Sequence, residues 1–181
     1  MVSKLRRCFI SIELPEEIKN KIRKIQNGLP EFKGKLVESE NLHLTLKFLG
    51  EIDEDKIEIV KKKLSGMKFK KLNCNLDSIG VFSESFVRIV WVYLSGCEEL
   101  QKKIDDALKG IFAEEKQFMS HITIARVKSV KDKKRFLEEL KKIKIEEINF
   151  NTDKFYLMES VLKPKGPEYG VIECFGEEKY D

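Results

Sequence analysis

The sequence predicts an α+β fold: two copies of a β-α-β-α-β unit, related by a pseudo-twofold axis, joined into one two-lobed body around a central cleft. Three observations lead there. Strand-like and helix-like segments follow one another in the same order twice. A His-x-Thr pair occupies the middle strand of each unit, and the two histidines are 78 residues apart. No Gly-, Pro- or Ser-rich linker separates the halves. The chain has 181 residues, of which 41% are hydrophobic. That is enough for the core of a single domain spanning 1–181, with the repeat falling roughly at 1–83 and 84–181.

The first unit opens with "CFISIEL" (8–14), rich in strand formers. "PEEIKNKIRKIQNG" (15–28) follows as a helix: Pro15 suits its first turn, Ile18, Ile22 and Ile25 make one apolar stripe, and Gly28 stops it. "LHLTLKFL" (42–49) alternates as a strand. "DEDKIEIVKKKLSG" (53–66) is a second helix, with Ile57, Val60 and Leu64 inward. "KLNCNLDSIGVF" (71–82) returns as strand. The second unit begins with "FVRIVWVYL" (86–94), dense in β-branched and aromatic residues. "CEELQKKIDDALKG" (97–110) is a helix with Leu100, Ile104 and Leu108 on one face. "HITIARV" (121–127) alternates, and "SVKDKKRFLEELKKIK" (129–144) is a helix for which Ser129 is the expected cap. "NFNTDKFYLME" (149–159) and "YGVIECF" (169–175) supply the last strands.

Composition narrows the setting. The chain carries 35 basic and 31 acidic residues, a net charge of +4. This balance permits a nucleic-acid partner where the basic residues cluster, without demanding one. Cys8, Cys74, Cys97 and Cys174 lie far apart and form no CxxC, so they read as reduced, mostly buried thiols in a cytoplasmic protein. The N-terminal apolar stretch is interrupted by Glu13 and Pro15 too early for a signal peptide. No apolar run approaches the roughly 18 residues of a membrane span. The chain is expected to be monomeric and away from membranes.

The chain's entire histidine content, His43 and His121, lies in the two His-x-Thr pairs. In a strand, residues i and i+2 share a face, about 6.5–7 Å apart. His43 and Thr45 therefore point one way, and Leu42, Leu44, Leu46 and Phe48 point into a core. His121 and Thr123 do the same, with Ile122 and Ile124 behind them. An imidazole gives or takes a proton near neutral pH. A threonine hydroxyl donates to a phosphoryl oxygen. Two such pairs facing each other supply a base, an acid and two oxyanion donors, which suits in-line displacement at phosphorus. Symmetry leaves open which histidine is which. Zinc would need a third protein ligand, and neither motif carries one nearby; no metal and no cofactor is expected. By alternation Lys47 shares the His43 face, where it would add positive potential, whereas Arg126 should point away from His121.

These residues resemble the 2H phosphoesterase superfamily, specifically the bacterial and archaeal RNA 2′,3′-cyclic phosphodiesterases, also called 2′-5′ RNA ligases. "RRCFISIELP" (6–15) is similar to the family's opening strand. "ESENLHLTLKFLGEI" (38–52) and "FMSHITIARVK" (118–128) are similar to its two H-x-T-x motifs. "GVFSESFVRIVWVYL" (80–94) resembles the central strands, and "LMESVLKPKGPEY" (157–169) the C-terminal segment. Ser120 departs from the proline that relatives often carry. The resemblance implies two mostly antiparallel sheets facing the cleft, with helices outside. It implies His43 as proton donor and His121 as proton acceptor, with Thr45 and Thr123 on the phosphate. It places Arg126 near substrate phosphate or base, and Tyr169 and Lys165 at the cleft border. The implied activity is hydrolysis of RNA 2′,3′-cyclic phosphate ends to 2′-phosphates. Formation of 2′-5′ linkages at the same site and binding of RNA ends without turnover are the alternatives.

Overall fold

The computed structural model describes residues 4–164 and 166–176. Lys165 lies outside the described residues. The first unit runs β1 (Arg6–Glu13), α1 (Glu16–Asn27), β2 (Lys33–Leu36), a 3₁₀ turn (Ser39–Asn41), β3 (His43–Ile52), α2 (Glu54–Leu64) and β4 (Leu72–Val81). The second runs β5 (Ile89–Ser95), α3 (Glu98–Ala107), β6 (His121–Ser129), α4 (Lys133–Lys142), β7 (Ile148–Thr152), β8 (Lys154–Lys163) and β9 (Gly166–Gly176).

The expected stripes form the core. Ile18 and Ile22 of α1, Ile57, Val60 and Leu64 of α2, and Leu100, Ile104 and Leu108 at α3 are all buried, each side chain contributing roughly 1.5–3 kcal/mol relative to exposure. Several details differ from the sequence reading, among them β5, which begins at Ile89 rather than at Phe86. Strand β2 was not anticipated: "KGKL" is wholly exposed and has no apolar alternation. Helix α4 starts later than expected because Asp132, not Ser129, caps it, its carboxylate accepting from the Arg135 amide at 3.0 Å. The 149–159 segment is divided between β7 and β8.

All strand pairs are antiparallel, in sheets ordered β3-β1-β8-β9 and β2-β6-β5-β4-β7. Two strands of each unit cross over. β2 and β4 join the sheet of the second unit, and β8 and β9 join that of the first, β8 pairing with β1. Arg6 fastens that last pairing, its guanidinium donating to both Glu159 carboxylate oxygens at 3.0 Å. Strands β3 and β6 meet where the sheets face each other.

Both motif strands carry a bulge at the same place, three residues after the histidine. Thr45 pairs with Ser11 and Lys47 with Ile10, which leaves Leu46 without a counterpart. Thr123 pairs with Trp91 and Ala125 with Val90, which leaves out Ile124. An extra residue reverses which face later side chains use. Each bulge is braced by the other unit. The Ile124 carbonyl accepts from Gln26 Nε2 of α1 at 2.9 Å and from the Val37 amide at 2.9 Å. The β3 bulge is braced by α3, through Lys47.

Candidate active site

The cleft between β3 and β6 encloses about 630 Å³ and is lined by His43, Thr45, His121 and Thr123 together. All four side chains project there because they precede the bulges. The bulges decide what comes next. Leu46 and Lys47 both turn inward, and Phe48 emerges into the cleft, 69% exposed. Ile124 and Ala125 are both buried, and Arg126 emerges into the cleft. Three expectations from simple alternation are therefore corrected. Lys47 is not on the His43 face, and Phe48 is not in the core. Arg126 shares the histidine's side because of the bulge.

Lys47, only 5% exposed, forms a buried ion pair with Asp105 of α3 and donates to the Ala113 carbonyl at 2.7 Å. Asp105 accepts further from Gln101 Nε2 at 3.1 Å and from the Glu115 amide at 2.8 Å. Burial works against its charge, but Lys47 and these donors prevail and hold the carboxyl below its ordinary pKa. A lysine in this position is tolerable because its charge is paired and two of its three N–H groups find acceptors.

Both imidazoles are oriented by main chain. His43 Nδ1 donates to the Asn41 carbonyl at 2.8 Å, and His121 Nδ1 to the Met119 carbonyl at 2.7 Å. A carbonyl only accepts, so Nδ1 carries the proton in each ring and Nε2 is left for chemistry. His43 Nε2 accepts from the Thr45 hydroxyl at 3.0 Å. His121 Nε2 has no hydrogen-bond partner among the described residues.

Aromatic rings hold the two imidazoles from the sides. Tyr169 of β9 stands edge-on to His43 with centroids 5.0 Å apart, and Phe9 of β1 lies tilted against it at 5.0 Å. Phe82, just beyond β4, stands edge-on to His121 at 4.8 Å. Trp91 lies beside Phe82, with ring centroids 6.0 Å apart, and against Gly80, where an added Cβ would come 2.6 Å from the indole. Only glycine fits at 80. Asn41 Nδ2 donates to the Pro167 carbonyl at 3.2 Å, which ties the strand carrying Tyr169 to the turn that orients His43.

Burial pushes the His43 imidazole down to about 4, and the positive charge of Arg126 adds to this; the Asn41 carbonyl only partly opposes it. In the free protein His43 is therefore neutral at physiological pH. Burial also raises the Tyr169 phenol. Among the described residues no three His, Cys, Asp or Glu side chains group as metal ligands. Cys8, Cys74 and Cys97 are buried free thiols, and Cys174 is exposed. No helix among the described residues is long and apolar enough to cross a membrane.

This arrangement, two imidazole–hydroxyl pairs and a guanidinium lining one cleft, coincides with a family match. The "LigT like Phosphoesterase" family matches residues 12–91 and 95–169, so both motif strands fall inside it. The chain belongs to the LigT-like phosphoesterases. Within the family, an RNA 2′,3′-cyclic phosphodiesterase of Methanocaldococcus jannaschii is 39% identical over 174 residues, covering 92% of this chain and 98% of the relative. One of Thermotoga maritima is 33% identical, covering 93% and 94%. Among LigT-like structures, TT0787 of Thermus thermophilus superposes with a TM-score of 0.77 at 26% identity, covering 94% of this chain and 97% of that one.

Proposed function

We propose that this phosphoesterase opens RNA 2′,3′-cyclic phosphate ends to 2′-phosphates by metal-independent acid/base catalysis. The observation that carries the reading is the pair of imidazoles facing one cleft. Each is fixed through Nδ1 to a backbone carbonyl and accompanied by a threonine hydroxyl two residues on. The relatives named RNA 2′,3′-cyclic phosphodiesterase supply the substrate.

In this reading His121 Nε2 takes a proton from water as the oxygen attacks phosphorus in line. The P–O3′ bond breaks, and His43 Nε2 delivers a proton to O3′, leaving a 2′-phosphate and a free 3′-hydroxyl. The roles follow the family resemblance; geometry requires only that they lie on opposite sides. His43 is neutral in the free site, so it takes up its proton as the anionic substrate binds, because negative charge beside an imidazole favours the charged form. The Thr45 hydroxyl, which donates to His43 Nε2 in the free protein, then turns to the phosphoryl oxygen. Thr123 serves a second oxygen and Arg126 neutralises the developing charge. The exposed face of Phe48 suits a nucleobase.

We further infer a monomeric, cytoplasmic protein in which 1–181 form one domain with the repeat near 1–83 and 84–181. The strand exchange between the units and the buried free thiols support this.

The test is an oligoribonucleotide ending in a 2′,3′-cyclic phosphate, incubated with purified protein with and without chelator. A 2′-phosphate product in both conditions is expected. Joined products would favour 2′-5′ ligation, a 3′-phosphate would overturn the binding orientation, and loss of activity in chelator restored by a divalent ion would overturn the metal-free mechanism. On the same substrate Thr45→Val and Thr123→Val should each lose about 10²–10³-fold in turnover, the scale of one oxyanion donor, whereas Thr→Ser should retain most of it. A serine variant as weak as valine would assign the effect to packing of the methyl group.

A further inference from the structure

Among the described residues three phenylalanines are strongly exposed: Phe48, Phe82 at 52% and Phe86 at 62%. Phe48 belongs to the cleft. The other two lie on the loop 82–88 that joins β4 to β5, and Phe82 reaches His121 directly. The loop is shaped to present them. Ser83 and Ser85 share a hydroxyl hydrogen bond of 2.8 Å, the Phe86 amide donates to Ser83 Oγ at 3.3 Å, and Val87 is buried beneath.

Cations also flank the loop, which itself carries one acid, Glu84, and one base, Arg88. The Arg88 guanidinium lies 4.2 Å from the Phe86 ring centroid and is held there by donating to the Lys128 carbonyl at 2.9 Å. Lys133, at the start of α4, donates to the Ser85 carbonyl at 3.0 Å. Glu84, the acid within the loop, is turned away into an ion pair with Lys141 at 2.9 Å. Exposed rings interleaved with cations, continuous with a histidine of the cleft, match the chemistry of a single-stranded polynucleotide: bases stack on aromatic faces and phosphates meet the cations.

We propose that the loop 82–88 is the track for the RNA upstream of the cyclic end, with Phe82 and the Arg88-backed Phe86 receiving bases and Arg88 and Lys133 facing phosphates. Four residues of chain span at most about 14 Å between the two Cα atoms, so the track serves the nucleotides next to the end rather than a distant segment. The inference rests on the reading of the cleft as a site for RNA cyclic ends, and adds to it a preference for oligonucleotides over mononucleotides.

The test compares a hexanucleotide ending in a 2′,3′-cyclic phosphate with a nucleoside 2′,3′-cyclic monophosphate. Phe86→Ala should lower kcat/KM on the hexanucleotide by roughly 5- to 150-fold, the factor one base–aromatic stack is worth, and leave the mononucleotide unchanged. Phe86→Trp should restore it. Arg88→Gln should reduce the slope of log affinity against log salt by about 0.7 for a hexanucleotide ending in a 2′-phosphate, one released counterion on a single strand. Equal losses on both substrates, or none on the hexanucleotide, would overturn the track. So would a wild-type dimer that Phe86→Ala dissociates while oligonucleotide binding is unchanged, because the rings would then serve a second copy of the chain. If the wild type turns over neither substrate, the functional reading fails. The affinity of the 2′-phosphate hexanucleotide for wild type and Phe86→Ala would then decide the track, with equal affinities overturning it.

Discussion

His43→Ala and His121→Ala should each reduce turnover of a cyclic-phosphate RNA by about 10²–10⁴-fold, the scale of a lost positioned acid or base, while both variants fold. Both rings line the cleft rather than the core, and each is oriented by a main-chain carbonyl that folding does not need the ring to satisfy. A variant with near-normal turnover would remove that histidine from the mechanism. The roles can be separated with a substrate that has sulfur in place of O3′. A thiolate leaves without a proton, so on this substrate His43→Ala should recover most of its lost rate and His121→Ala should not. Recovery of His121→Ala alone would exchange acid and base.

Lys47→Met should destabilise the protein by about 3–5 kcal/mol, because Asp105 would be left as a buried charge without its cation. For a chain of this size that lowers Tm by roughly 6–20 °C. Asp105→Leu should cost a similar amount by stranding the ammonium. The double variant Lys47→Met/Asp105→Leu should regain most of the loss, since an apolar pair of similar volume replaces the ion pair at little net cost. Thermal unfolding of the four proteins checks this. If the double variant loses the sum of the two single effects, the residues contribute separately and the pair is not a unit.

The His-x-Thr strands are legible in the sequence because their signal is local. His-x-Thr in an alternating strand requires only the two-residue period, and Ile18, Ile57 and Ile104 fall on stripes that any amphipathic helix shows. Residues after the bulges were not legible in the same way. In β6 the apolar positions shift from 122 and 124 to 127, with Ala125 between, and that change of parity is a usable sign of a bulge. In β3 it is hidden, because Phe48 is apolar and reads as core while its ring stands in the cleft. Lys47 shows the converse: a lysine reads as surface unless its partner is known, and Asp105 is 58 residues away. Strand β2 escaped notice because an exposed edge strand has no face to bury. The exchange of β4 and β8 between sheets depends on long-range pairing, which periodicity does not encode.

The exchange also sets a timetable for the chain as it is made. β1 lies between β3 and β8, and its Cys8 to Ser11 segment pairs with Tyr156 to Glu159, almost the whole chain later. A nascent chain that has completed β3 must add about another hundred residues before the other edge of β1 can be covered. At typical synthesis rates this takes roughly 5–20 seconds. Through that interval the edge of β1 presents unpaired backbone groups beside Ile10 and Ile12, the features that invite strand addition by a foreign chain. The first lobe of a freshly synthesised molecule should therefore need holding chaperones until β8 emerges, and a ribosome stalled before β8 would release an aggregation-prone chain rather than a working lobe.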